Sequence, residues 1–374
     1  MQSSTRLLPR ADTVGSLLRP APLLMARAAF AEGKIDEAAL RVAENRAIDG
    51  VIKFQEDIGL PIVTDGEFRR ENWWVDFVQG IDGVVIEDGT STKFSHEHGK
   101  PSDYIPKTVK TEARLNVSGS LTARDYRYVA DRTDAVAKVT LPSPTRMHFH
   151  GGRNIVARSA YPDIEEFYAD LANIYRQEIA RLEVEGCRYI QIDDPLLTYF
   201  LDSQLRLQVQ SEGEDPDERL RRYVKLINDS IAARGPETLV GIHLCRGNAR
   251  GNWIAEGDYE GLAEECFGNL NVDRFLLEYD DERSGDFKPL RFVPAGRQVV
   301  LGLVSTRSAS LEVKDEVKRR IEKAGEFFDL SYGAISPQCG FASVVEGNAI
   351  TLAVQEAKLR LVTDLAIEFW GHAI

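Results

Sequence analysis

The stretch that decides the reading is Leu239-Val-Gly-Ile-His-Leu-Cys245. A short apolar run rich in β-branched residues has the length of a buried strand, and here it ends in chemically competent side chains. Side chains alternate along a strand, so His243 and Cys245 share one face. Working outward, comparable runs recur at residues 12–16, 61–67, 138–144 and 189–195 before it, and at 275–280, 298–305 and 332–340 after it. The gaps between them carry apolar residues at helical spacing over 35–57, 164–185, 217–233, 259–267, 311–328 and 342–369. Strands alternating with helices predict a parallel sheet. Eight such strands in one chain predict an α/β fold of the (β/α)8 TIM-barrel type, which commonly takes about 250 residues before insertions. A doubly wound open sheet is the competing arrangement, but no G-x-G-x-x-G follows the first strand.

The stretch 84–137 interrupts the alternation with Gly, Ser, Thr, Lys and Asp. It is predicted to be an insertion after the second strand, a β-hairpin or lid over the barrel mouth that carries His96 and His98. The whole chain, 1–374, is otherwise expected to form one barrel domain.

Composition excludes several classes. The chain has 374 residues, 46 Lys plus Arg against 59 Asp plus Glu, and a formal charge of −13. That balance argues against a nucleic-acid partner, because phosphate contacts need clustered cations. No apolar run reaches the roughly 18 residues of a membrane span. The opening Met1-Gln-Ser-Ser-Thr-Arg6 leads into no export signal, so a cytoplasmic location is expected. Four cysteines are too few for a disulfide scaffold and are expected to stay reduced. Of these, Cys187 and Cys266 fall on or beside predicted helices and read as core packing. Assembly into a homo-oligomer stays open at this level.

Barrel enzymes build their sites where strands end. The polar residues at those ends are Ser16, Asp65, Glu67, Asp193, Asp194, His243, Cys245, Glu278 and Cys339. One His, two Cys and one Glu are a donor set that suits Zn²⁺. With neutral His, two thiolates and a carboxylate, such a site has a net charge of −1. An electron-rich zinc activates water poorly but ionises a coordinated thiol outright. The chemistry this favours is alkyl transfer to a thiol. Glu67, Asp193 and Asp194 face the same mouth, where carboxylates can hold an amino acid's ammonium or simply pair with neighbouring arginines. Trp73, Trp74 and Phe77 follow the second strand, and either line a donor pocket or pack in the core. His148-Phe149-His150 follows the third. Phe149 could stack on a flat donor, whereas the H-x-H lacks the further donors a second metal needs.

These pieces together resemble the catalytic half of cobalamin-independent methionine synthase and its single-barrel relatives. The matching segments are Thr13-Val-Gly-Ser16, Asp65-Gly-Glu-Phe-Arg69, Gln191-Ile-Asp-Asp-Pro195, His243-Leu-Cys245, Leu277-Glu278, Leu301-Gly-Leu-Val304 and Ser336-Pro-Gln-Cys-Gly-Phe341. The resemblance implies Zn²⁺ held by His243, Cys245, Glu278 and Cys339. It implies a thiol acceptor, homocysteine, with its ammonium on Glu67 and Asp193 and its carboxylate near Ser16. It also implies a methyl or alkyl donor, for which a folate or a methylcorrinoid are candidates.

One departure matters. Folate-dependent members carry a His after the seventh strand, as a proton donor to the departing folate nitrogen. Here Arg307 stands in that position, within Val304-Ser-Thr-Arg-Ser308. Arginine keeps its proton near neutral pH. A folate donor is therefore disfavoured; the expected catalytic pair is Arg307 and Asp194, with Ser16, Glu67, Asp193, Trp73 and Phe149 binding substrate. The alternative is an epoxide- or xenobiotic-opening thiol transferase of the coenzyme M transferase type, with Arg307 or Arg246 holding an anionic thiol.

Overall fold

The computed structural model describes residues 9–89 and 107–373. The opening residues of the chain and the lid histidines His96 and His98 lie outside that range. Among the described residues nine strands are formed: β1 Ile62–Val63, β2 Asp82–Asp88, β3 Lys107–Asn116, β4 Val136–Pro142, β5 Tyr189–Asp193, β6 Leu239–Leu244, β7 Arg274–Glu278, β8 Gln298–Val304 and β9 Gly333–Pro337. Seven of them make one sheet in the order β1-β4-β5-β6-β7-β8-β9. Every neighbouring pair in it is parallel. From β5 to β9 every strand residue is buried, as expected when helices cover one face and the barrel interior the other.

The predicted first strand, 12–16, is instead an extended segment with a single bridge, Ala11 to Ile335. It nonetheless spans the gap between the sheet edges. Asp12 N–H donates to Ile335 O of β9 at 3.0 Å. At the other side Thr64 Oγ1 donates to Gly15 O at 2.7 Å and Leu17 N–H to Gly66 O at 3.0 Å, just past β1. Gly15 takes φ +145° here, and a Cβ on it would lie 2.7 Å from Thr140 Cγ2. The segment passes too close to β4 for any side chain at that point.

β1 is shorter than predicted because Gly66 and Glu67 both turn left-handed, at φ +68° and +60°. The helix predicted at 342–369 begins only at Leu352, capped by Thr351 Oγ1. The preceding turn is tied into the barrel mouth, with Asn348 N–H bonded to Phe341 O and its amide to Thr306. The helix Glu37–Ile58 is typical of the cover. Asp36 caps its start, Gly59 at φ +85° ends it, and Leu40, Ile48, Val51, Ile52 and Ile58 form its buried stripe. Within the predicted insertion β2 and β3 pair antiparallel, and a short helix, Ala123–Ala130, follows them. Among the described residues no helix is long and apolar enough to cross a membrane.

Candidate functional site

Two strand ends converge on one cluster. His243 lies in β6 and Cys245 just beyond it, while Cys339 follows β9. One ligand atom from each lies within 4.8 Å of the other two. All three side chains are buried. His243 Nδ1 is 3.3 Å from Leu276 O, whereas Nε2 is buried without a hydrogen-bond partner. A buried orphan nitrogen beside two thiols is costly unless something binds it. Two sulfurs and an imidazole nitrogen are the donors that Zn²⁺ selects. The residues therefore fit that ion.

Charge in the cluster is already sorted. The Cys339 thiol is held well below the usual thiol range by the adjoining Cys245 and, against burial, by the nearby His243 ring. Cys245 is pushed well above it by its bond to Cys339 and by burial. Burial draws the His243 imidazole down, but the nearby Cys339 and the carboxylates of Asp193 and Glu278 leave it raised. Cys339 is positioned by its neighbours: Gln338 N–H bonds Val304 O at 2.8 Å, and a Cβ on Gly340 would meet Ser16 Oγ at 1.9 Å. Only glycine lets this turn pack against the 12–16 segment.

Glu278, the expected fourth ligand, is buried at the end of β7 but does not join the three-atom cluster. Its Oε2 accepts the Arg246 N–H at 2.9 Å, and its Oε1 faces Arg283 at 3.3 Å and Arg307 at 3.6 Å.

The cluster opens into a cavity of about 100 Å³ whose lining includes Ser16, Glu67, Trp73, Asp193, Arg146 and His150. Glu67 is in a left-handed conformation unusual for a residue with a side chain, which marks a position fixed by its surroundings. Thr140 Oγ1 donates to its Oε1 at 2.9 Å, and Arg70 lies 3.5 Å away. Asp193 Oδ1 accepts Gln191 Nε2 at 2.7 Å. Burial raises its carboxyl to about 7, with His243 opposing and Glu67 assisting the rise.

The structure moves three expected residues away from the cavity lining. The Arg307 guanidinium lies 2.6 Å from both Asp280 and Asp281, so it is spent on ion pairs. Asp194 accepts the N–H groups of Leu196 and Leu197 and the Thr145 hydroxyl, which makes it the anchor of the turn after β5. Phe149 packs edge-on against Tyr199 and Phe200. Arg246, the other arginine considered for an anionic thiol, donates to Gly257 O and Glu278 O and stacks on Tyr259.

In their place Trp74, Tyr199, Asn248, Arg146 and His150 reach the lining. Arg146 stacks on the Trp74 ring at 3.9 Å. The H-x-H pattern did signal this wall, but its second histidine, not Phe149, is the residue that faces inward. The first, His148, is fully buried, with its ring nitrogens 2.9 Å from Tyr223 OH and 3.1 Å from Tyr168 OH. It is therefore spent on the core. Burial holds His148 down to about 3, with Arg219 adding to the effect against Glu214. An unfolded histidine takes up a proton near pH 6.5 while this one stays neutral, so folding stability falls as pH drops below about 6.5. From His148 the expected slope is about 1.4 kcal/mol per pH unit between pH 6 and 4. Denaturant unfolding at pH 7.5 and 5.0 should show this loss, and His148→Gln should make the dependence shallower by that amount.

A parallel β/α barrel with a His-Cys-Cys group able to hold a metal ion and paired carboxylates at its strand ends defines the class: a barrel enzyme whose site lies at the strand ends. The sequence model of the family described as "Cobalamin-independent synthase, Catalytic domain" matches residues 9–359, and the chain belongs to that family. Bacillus subtilis YxjH, described as uncharacterized, is 39% identical over 96% of this chain and 94% of its own. Methionine synthase of Pyrococcus abyssi is 26% identical, covering 97% of this chain and 95% of its own. A crystal structure from Listeria monocytogenes, of a protein proposed to be a vitamin-B12 independent methionine synthase, superposes with a TM-score of 0.78 at 32% identity, covering 98% and 100% of the two chains.

Proposed function

We propose that the chain is a zinc-dependent methyltransferase that alkylates the thiol of homocysteine. The observation that carries this reading is that three soft metal donors and two carboxylates line one small cavity. His243, Cys245 and Cys339 would hold the zinc, with Glu278 as the adjacent fourth donor. Bound there, Zn²⁺ keeps an added thiol deprotonated near neutral pH. Glu67 and Asp193 receive the ammonium of the acceptor, and Ser16 lies where its carboxylate would reach. Trp73, Trp74 and Tyr199 wall the cavity and exclude water from the reacting sulfur.

Because Arg307 is tied to Asp280 and Asp281, it delivers no proton to a leaving group. This favours a donor that departs without protonation, such as a methylcorrinoid or a sulfonium, over a folate. The engagement of both Arg307 and Arg246 also weakens the epoxide-opening alternative, which needs one of them free for an anionic thiol.

The deciding test is metal analysis followed by zinc-edge X-ray absorption with and without homocysteine. About one zinc per chain, gaining a sulfur neighbour on adding homocysteine, is the expected result. No zinc, or a spectrum that responds only to a sulfonated thiol, overturns it. For the acceptor, Glu67→Gln removes one charge from the ammonium site. The KM for homocysteine should rise about 10- to 100-fold, the range of a hydrogen bond to a charged group, with a smaller change in kcat.

A further inference from the structure

The seven-stranded sheet has β1 and β9 at its two edges, and among the described residues no ladder joins them. At the barrel mouth this seam divides the cavity. On one lip the turn after β1 carries Glu67; on the other the loop after β9 carries Cys339, Ser343 and Val344. Arg19, which follows the 12–16 segment and is only 6% exposed, reaches both lips. Its Nη2 donates to Glu67 O at 2.8 Å and to Arg70 O at 2.9 Å. Its Nη1 lies 3.4 Å from both Ala342 O and Val344 O. A planar guanidinium can serve carbonyls on two sides at once, whereas an ammonium is a single point. The Glu67 backbone it holds is left-handed at φ +60°, a conformation that persists only where the surroundings impose it. A second tie across the seam, Trp73 N–H to Ser343 O at 3.1 Å, lies beyond Glu67 and does not hold that residue.

We infer that Arg19 is a positioning residue that sets the span between Glu67 and the Cys339 loop, and through it selects the length of the amino-acid thiol, homocysteine over the shorter cysteine. This rests on the acceptor reading above, in which Glu67 takes the ammonium and the sulfur lies at the His243–Cys245–Cys339 cluster. Arg19 touches neither group. It acts through the backbone of Glu67 and that of the loop behind Cys339. With ammonium and sulfur gripped at two fixed places, a chain one methylene short meets one grip at the expense of the other. In a fitted pocket one methylene is worth about 10- to 200-fold. Without the clasp the Glu67 turn is free to shift, and the fit to the longer thiol is what it loses.

The experiment takes wild type, Arg19→Gln and Arg19→Lys, loads each with zinc, and titrates homocysteine and cysteine in a calorimeter, so that no methyl donor is needed. Wild type should prefer homocysteine by at least about tenfold, and Arg19→Gln should narrow that preference about tenfold, mainly by weakening homocysteine. Zinc content should stay at the wild-type level, since no metal donor is altered. Arg19→Lys keeps the charge but not the fork; it should narrow the preference too, and it serves where Arg19→Gln fails to fold. A folded variant that keeps the wild-type preference overturns the inference. So does equal weakening of both thiols, the mark of a merely structural role, or a wild type that binds the two alike. A wild type that holds no zinc, or binds neither thiol, overturns the acceptor reading itself, and these outcomes keep the two failures apart.

Discussion

Cys339→Ser is expected to lose bound zinc and to lower methyl transfer by more than about 100-fold, beyond what loss of a supporting contact around a metal costs. The argument starts from charge. Of the two clustered thiols Cys339 is the one held lower, by the adjoining Cys245 and the nearby His243 ring. It is thus the group already prepared to be an anion, and a serine hydroxyl cannot ionise there. Cys245→Ser should also fail to retain zinc, since the cluster would again be left with one sulfur. Because both cysteines are buried and the exchange is small, the thermal midpoint without metal should move little. Cys266→Ser provides the contrast: Cys266 lies in the helix Glu260–Asn269, away from the cluster, and its replacement should leave zinc content unchanged. Zinc stoichiometry on the purified variants checks all three. A Cys339→Ser protein that keeps both zinc and full activity would sink the metal assignment.

How far the sequence disclosed this depends on which forces act locally. The strands β5 to β8 were legible because burial on both faces makes them continuous apolar runs, and the strand end carrying His243 and Cys245 followed from side-chain alternation alone. The 12–16 segment was misread as a strand, since nothing in its residues reveals that Gly15 must pass within contact distance of Thr140. The truncation of β1 depends on a left-handed Glu67, a conformation which tertiary contacts impose rather than local preference. At the site, residue type identified the metal donors, but side-chain direction decided the rest. Arg307 was expected to meet substrate and instead meets two aspartates. Phe149 was favoured over its neighbour, yet His150 reaches the cavity. Such outcomes turn on long-range partners, Asp280 for Arg307 and Tyr199 for Phe149, that no local pattern encodes.

Lys138→Met should be among the more destabilising single changes away from the metal. Lys138 is fully buried on β4, inside the barrel, where its ammonium donates to Asp12 Oδ1 at 2.8 Å, to Gln191 Oε1 at 2.8 Å and to Thr13 O. Asp12 also receives Tyr189 OH at 2.7 Å and lies 3.1 Å from Arg274. Breaking a buried ion pair from one side costs about 3–5 kcal/mol, because the remaining charge has no solvent to turn to. Lys138→Met should fall at the lower end of that range, since Arg274 and Tyr189 still serve Asp12. Asp12→Asn should cost more, for it leaves two cations, Lys138 and Arg274, facing one another without their shared anion. The double variant should be better than the sum of the two by about 0.5–3 kcal/mol, the usual coupling between contacting residues. Urea unfolding of the four proteins measures it, and strict additivity would refute the pairing. The consequence extends to the cavity. Gln191 accepts a hydrogen bond from Lys138 on its oxygen and therefore points its amide nitrogen at Asp193 Oδ1, 2.7 Å away. Without Lys138 only the bond from the Gln191 amide nitrogen to Val14 O, at 2.6 Å, still favours that orientation, and the donor to the carboxylate proposed to hold the acceptor is loosened. Lys138→Met should then raise the KM for homocysteine even at a temperature where the variant is fully folded, so that a stability network at the barrel centre and the recognition of substrate at its mouth are read out by the same substitution.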